Sequence, residues 1–339
     1  MSWAVRSTFV DYEDEEQPFD QKDLVLGTSF SAPKLSDEVS LYVEGAFINK
    51  YKTLRLIDKE LDKSGYAAYT SLSIAPADGW VVLLEGKAYS RFEVRNPYDP
   101  YAKKLPTLYH EPPTLERFDQ QVPGNRNSVG GKLRVEYYHK PWGMLFYSNT
   151  TGYSYGLENL EADVERYDWV DTFGDDGHWM LHAYAGFEKR WTGGTFAQVS
   201  GGWRNEAPNK PADGALSYHR RLWHVESDFQ LPLGGKHGLG LRTNHRNETK
   251  EQGVKGKSFY RGDANLTYSF APQLSLALIW SYQSEIEDAS KFNNFAGEIF
   301  YRFSKWGQLS VFGGRVPAGI ICVSGVCREL PSFTGVKSE

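Results

Sequence analysis

Three groups of residues in this 339-residue chain have chemical potential: a pair of cysteines, a pair of histidines four apart, and charges at alternate positions of several segments. Cys322 and Cys327 are the only cysteines. An even count in an exported protein favours a disulfide, here closing a small surface loop over residues 316–331. The alternatives are free thiols or half of a metal site, the latter against a usual need for four ligands. His178 and His182 would share a metal ion on a helix, but on a strand four residues span roughly 13 Å. They read instead as lining of one strand face, alongside Met180 and Tyr184. No metal and no other cofactor is expected. No nucleophile motif, phosphate-binding glycine loop or HExxH helix occurs, so no residue is assigned as catalytic and the chain is not expected to be an enzyme.

The charges acquire meaning from the segments that carry them. The clearest is residues 257–285, two alternating runs hinged at Ala271-Pro272-Gln273. Side chains alternate across a strand, so Tyr260, Leu266, Tyr268 and Phe270 share one face of the first run. Phe259, Arg261, Asp263 and Asn265 share the other. In the second run Leu274, Leu276, Leu278, Trp280 and Tyr282 oppose Ser275, Ala277, Ile279, Ser281 and Gln283. Aromatics stand near both ends of the apolar face, with aliphatics between. That order fits a bilayer crossed by tilted strands of roughly 9–11 residues, with an apolar band about 25 Å tall between aromatic girdles. The apolar set Tyr260, Leu266, Tyr268, Phe270, Leu274, Leu276, Leu278, Trp280 and Tyr282 is therefore expected to face lipid.

The rest of the chain repeats this architecture. Alternating segments are expected at residues 2–12, 24–32, 38–49, 66–75, 80–92, 129–139, 143–152, 178–190, 195–206, 218–230, 239–247, 294–304 and 308–315. A closing strand follows from residue 333. Short turns, such as Pro76-Ala77-Asp78-Gly79 and Lys140-Pro141-Trp142, join these segments in pairs. Longer polar stretches separate the pairs, as at residues 153–177, 207–217, 249–257 and 285–293. One stretch stands apart: residues 96–127 hold six prolines, which cannot donate to a strand ladder. It is expected to be a long loop that folds inward as a constriction or plug, or stands outside as a docking surface. The hairpins alone give 14 strands, and the two end strands raise the number to 16. The expected fold is all-β: a single domain over residues 1–339, a transmembrane antiparallel up-and-down β-barrel of 16 strands with 14 as the alternative. Short turns would be periplasmic and long loops extracellular.

A soluble sandwich would show the same alternation. Soluble strands have a mode of about 5–6 residues, however, and most segments here are about twice that. Composition does not separate the two: 15% aromatic residues and 3 Met suit any aromatic-rich β protein. The net charge of −5 leaves no basic footprint for nucleic acid. No run of about 18 apolar residues occurs, which excludes a transmembrane helix. Met1-Ser2-Trp3 leads directly into polar sequence, so a signal peptide is expected to have been removed.

On the polar face the charges are Glu44, Glu85, Lys87, Arg134, Glu136, Arg204, Glu226, Asp228, Arg242, Arg261, Asp263, Glu298 and Arg302. Lining an aqueous lumen they would tune which solutes pass; paired across it they would hold the wall together. Both signs are present, so strong ion selectivity is not expected.

The hairpin series, the aromatic ends and the loop asymmetry resemble Gram-negative outer-membrane β-barrel proteins over nearly the whole chain. The tail with Cys322, Cys327 and Arg328 in a Cys-x4-Cys-Arg pattern, followed by Pro331, resembles a C-terminal loop of Bacteroidota and deltaproteobacterial-type barrels. Such barrels usually end on an aromatic residue, whereas Val336-Lys337-Ser338-Glu339 does not. The resemblance implies an integral protein of the bacterial outer membrane, with outer-membrane lipid as its surroundings. The expected function is a passive, porin-like channel for small solutes. The alternative is a non-conducting scaffold or receptor that docks surface or periplasmic proteins through its loops.

Overall fold

The computed structural model describes residues 1–12, 19–54, 59–90, 92, 128–155, 177–208, 219–252, 255–284, 292–316, 319–323, 326–330 and 333–338. The proline-rich segment 96–127 and most of the long loops lie outside the described residues.

The strands follow the alternating segments. In chain order they are β1 (Ser2–Tyr12), β2 (Phe19–Ala32), β3 (Val39–Leu54), β4 (Lys59–Ile74), β5 (Trp80–Ser90) and β6 (Ser128–His139). Next come β7 (Met144–Tyr155), β8 (His178–Arg190), β9 (Phe196–Pro208), β10 (His219–Gly234), β11 (His237–Gln252) and β12 (Lys255–Phe270). The last are β13 (Leu274–Gln283), β14 (Phe292–Arg302), β15 (Gln308–Val316), β16 (Gly319–Val323), β17 (Val326–Leu330) and β18 (Phe333–Ser338). Strands β1 to β15, in sequence order, and then β18 form one antiparallel up-and-down sheet of 16 strands; β16 and β17 form a separate two-stranded sheet. Among the described residues no α-helix occurs, and none of the structure is a helix long and apolar enough to cross a membrane. That says nothing against crossing by strands.

The turns sit where sequence chemistry places them. Pro141 lies in a single 3-10 turn, Lys140–Trp142, closed by Gly143 at φ 58°, whose N–H donates to the Lys140 carbonyl at 3.1 Å. Between β10 and β11 Gly234 and Gly235 take φ of 99° and 58°, left-handed values that a side chain resists. Gln273 N–H donates to the Phe270 carbonyl at 2.9 Å and closes the Ala271-Pro272-Gln273 hinge.

Several strands run further toward the long-loop side than alternation in the sequence suggests. Residues 249–257, expected to be a loop, are largely strand: β11 and β12 stay in register out to Gln252 opposite Lys255. A strand of 16 residues exceeds the roughly 9–11 that a tilted crossing needs. The surplus positions include Lys250, Glu251, Gln252 and Lys255, residues that obscure apolar alternation although their backbones pair normally.

Two compact units are apparent within the chain. The first, residues 1–135, 149–181 and 206–211, has an apolar cluster of Val25, Ala46, Ile48, Ala67, Tyr89 and Phe92 on the concealed side of β2 to β5. Its strands keep regular register, for example Leu26 opposite Phe47 and Ala67 opposite Tyr89. The second, residues 136–148, 182–205 and 212–339, contains Ala277, Ile279, Ala296 and Phe312 as its apolar cluster. Here β12 pairs with β13 from Phe270 opposite Leu274 to Arg261 opposite Gln283, and β15 pairs with β18 from Val316 opposite Phe333.

Candidate functional site

Alternation separates two faces with opposite chemistry. On β13, Leu276, Leu278 and Trp280 are exposed, whereas Ser275, Ala277, Ile279, Ser281 and Gln283 are buried. Tyr260 and Leu266 of β12 are likewise exposed; Tyr268, Phe270, Leu274 and Tyr282 are half-buried at the same alternate positions. Exposed apolar side chains continue on neighbouring strands, with Leu239 and Leu241 on β11 and Phe295 and Ile299 on β14. The apolar stretch is bounded by polar-tipped aromatic pairs. Near the short-turn end His237 Nδ1 lies 2.6 Å from Tyr268 Oη, and near the other end His245 Nδ1 lies 2.6 Å from Tyr282 Oη. The step of eight residues from His237 to His245 covers about 27 Å of strand, or about 21 Å of height at a tilt of about 40°. This approaches the height of an apolar band between aromatic girdles.

The opposite, concealed face carries the charges. Glu44, Lys87, Arg204 and Glu298 are buried, and Glu85, Arg134, Glu136, Glu226, Asp228, Arg242, Arg261 and Asp263 are half-buried on the same alternation. Arg302 shares the alternate positions of Glu298 but stands exposed at the end of β14. Of the two histidines four apart, His182 is buried while His178 is half-buried and stacked on Tyr155, with ring centroids 5.7 Å apart.

In the first unit a cluster forms around Glu85. The Tyr69 hydroxyl donates to Glu85 Oε1, and Lys132 forms an ion pair with Glu85 Oε2. The Lys87 ammonium lies 4.5 Å from the Tyr89 ring centroid and 5.7 Å from that of Tyr153, within reach of the negative ring faces. Tyr69, Glu85, Lys87, Lys132 and Tyr153 surround a cavity of about 10 Å³, the size of a single water. Gly130 makes room for this arrangement, because a Cβ there would run into the Tyr153 ring.

The second unit has two clusters. Glu248 of β11, with no solvent exposure, receives Arg220 Nε at 2.7 Å from β10 and Arg261 Nη2 at 3.3 Å from β12. Nearby Asn244 Nδ2 donates to Asp263 Oδ1 at 3.1 Å. The other cluster joins His182 of β8 to His224 of β10, with their Nε2 atoms 2.9 Å apart. For Glu248 the ion pairing is what concealment requires, since a charge removed from water is stable only beside a partner.

Sequence alternation had marked some members of these clusters but not Lys132, Tyr69, Arg220, His224 or Glu248. Lys132 shares alternate positions with Arg134 and Glu136, and Arg220 and His224 with Glu226, so their face was within reach of the same alternation. Their partners were not, because an ion pair across strands depends on register, which one sequence does not state. Cys322 and Cys327 stand opposite each other in the β16–β17 register.

No protein-family model and no curated protein sequence matches the chain. Solved structures do. The siderophore receptor PirA from Pseudomonas aeruginosa superposes with a TM-score of 0.53 at 14% identity, covering 88% of this chain and 51% of that one. The chain thus spans about half the length of that receptor. OmpT, an outer membrane protein of Vibrio cholerae in its trimer form, matches with a TM-score of 0.39 at 9% identity, over 99% of this chain and 95% of that one. The likeness to the receptor shows the fold: the 16-stranded antiparallel sheet has the up-and-down architecture of bacterial outer-membrane β-barrels. Lipid is the natural surrounding of that fold, and the exposed apolar face fits it.

Proposed function

We propose that this chain acts in the outer membrane as a passive, porin-like channel for small solutes, with a polar lumen of mixed charge. The observation that carries the proposal is the concealed face itself, where acidic, basic and amide side chains alternate with the exposed apolar set. A barrel closed from about 16 strands leaves an aqueous interior, and these side chains would line it. Charges of both signs predict weak ion selectivity. The proposal gives the chain no catalytic step. Reconstitution in planar bilayers tests it. Stepwise conductance with a cation-to-anion permeability ratio near one is expected, and deletion of residues 103–124 is expected to raise it if that segment constricts the lumen. Absence of conductance in both the full chain and the deletion variant would contradict the proposal.

One observation favours a second reading, a sealed barrel that serves as scaffold or receptor. Arg204 and Glu206 are each 1% exposed and Glu248 0%, lower than expected for side chains facing a wide water-filled pore. A sealed barrel would give no conductance in either form and would co-purify with a protein partner from native membranes.

A further inference from the structure

We infer that His182 and His224 form a binding site for a divalent transition-metal ion, with Cu²⁺ the best geometric match. The two residues lie on β8 and β10, separated by β9, and meet because the intervening residue on β9 is Gly202. A Cβ at that position would run into the Tyr184 Cβ and approach His224 Nε2 to 2.6 Å. The glycine therefore opens a notch through which two buried imidazoles from non-adjacent strands come together, Nε2 to Nε2, at 2.9 Å. Tyr184 stacks on His182 with centroids 5.1 Å apart and an interplanar angle of 29°, fixing that ring.

A carboxylate lies close to His224. The ring Nδ1 lies 3.3 Å from Glu226 Oε1, so a negative charge stands beside the imidazole pair. Bonds of about 2.0 Å at a right angle place two nitrogens ~2.8 Å apart, whereas a tetrahedral angle places them ~3.3 Å apart. The observed 2.9 Å fits adjacent positions of a tetragonal ion, the preference of Cu²⁺ and Ni²⁺ for imidazole ligands. Without a metal the two rings share an N–H···N hydrogen bond at this distance, and a bound ion would take the place of its proton.

Among the described residues no group of three or more His, Cys, Asp or Glu converges on one point, so water would complete the coordination. Glu226 favours the cation; Arg204, the next concealed residue on β9, and Arg246, opposite His224 in register, oppose it. Modest affinity follows. His224 lies at nearly the level of His245, so an ion arriving from the long-loop side need not pass the depth of the apolar band.

The test uses the full chain folded in detergent, with the fold checked by the migration of an unboiled sample. The protein is titrated with CuCl₂ and followed by calorimetry and electron paramagnetic resonance. One equivalent is expected to bind with a tetragonal signal split by two nitrogens. His182→Gln or His224→Gln should abolish the two-nitrogen pattern, and Glu226→Gln, which leaves both Nε2 atoms in place but removes a nearby negative charge, should weaken binding about tenfold. No bound Cu²⁺, a one-nitrogen spectrum, or binding unchanged in both histidine variants would overturn the inference; the last would assign the ion to an exposed histidine such as His237. If the histidine variants do not fold, the nitrogen count of the unaltered chain and the effect of Glu226→Gln decide.

Discussion

Glu248 shows how a single side chain is made tolerable in a concealed wall. Its carboxylate has no exposure to water; Arg220 Nε donates to its Oε1 at 2.7 Å, and Arg261 Nη2 forms an ion pair with its Oε2 at 3.3 Å. Desolvation of Glu248 and Arg220 is costly, and their mutual contact, with half-buried Arg261 beside them, offsets it. Glu248→Gln keeps the shape but leaves Arg220 and Arg261 facing an amide and each other. We expect a loss of about 3–5 kcal/mol, the range for removing one partner of a buried pair. Equilibrium unfolding of the folded protein in urea measures it, and a loss below about 1 kcal/mol would show that the cluster is wetter than its geometry. Sequence had identified Arg261 as facing this side but not its acid, for a specific reason. Apolar alternation fades at Asn247, so Glu248 fell just beyond the expected strand end, and the pairing of Arg220 with it requires the β10–β11 register.

At the scale of the element, β13 and the short-turn end of β12 were legible nearly to the residue, because their alternation is strong and Ala271-Pro272-Gln273 marks the turn. Element ends toward the long loops were not legible, since strand there is built from Lys, Glu and Gln, whose side chains carry no facial signal. The exposed side of the hairpin makes a quantitative prediction. Leu278 is 65% exposed and lies in the aliphatic middle of the face. Leu278→Arg would put a charge into hydrocarbon and should cost about 2–4 kcal/mol in lipid vesicles; a change near zero would place the residue in water. A second prediction belongs to the small β16–β17 sheet. Directly opposed residues of an antiparallel pair have Cα atoms about 4.5–5.5 Å apart, inside the window for a disulfide. With Cys322 opposite Cys327, thiol titration of the unreduced, unfolded chain should find no free thiol. Two reactive thiols would show that the pair stays reduced.

For the whole molecule the decisive quantity is the relation between faces and strand count. Sixteen strands in one up-and-down sheet came from counting short turns and long loops, an asymmetry that a soluble sandwich has no reason to show. Which residues share a face was equally legible, because the period of two survives wherever apolar and polar residues alternate. The functional chemistry was less so. Gly202 reads in the sequence as one of 33 glycines, and only the adjacency of β8, β9 and β10 reveals that it lets His182 meet His224. The central claim, that one face of the sheet meets lipid while the other is concealed from it, is tested most directly by spin labels placed singly from Leu274 to Gln283. Labels would be introduced with Cys322 and Cys327 replaced by Ser, and the protein reconstituted in bilayers. Collision with oxygen, which partitions into lipid, should peak at 276, 278 and 280 and fall at 275, 277, 279 and 281. Uniform collision with a water-soluble nickel reagent along the strand, with no period of two in oxygen accessibility, would contradict the account.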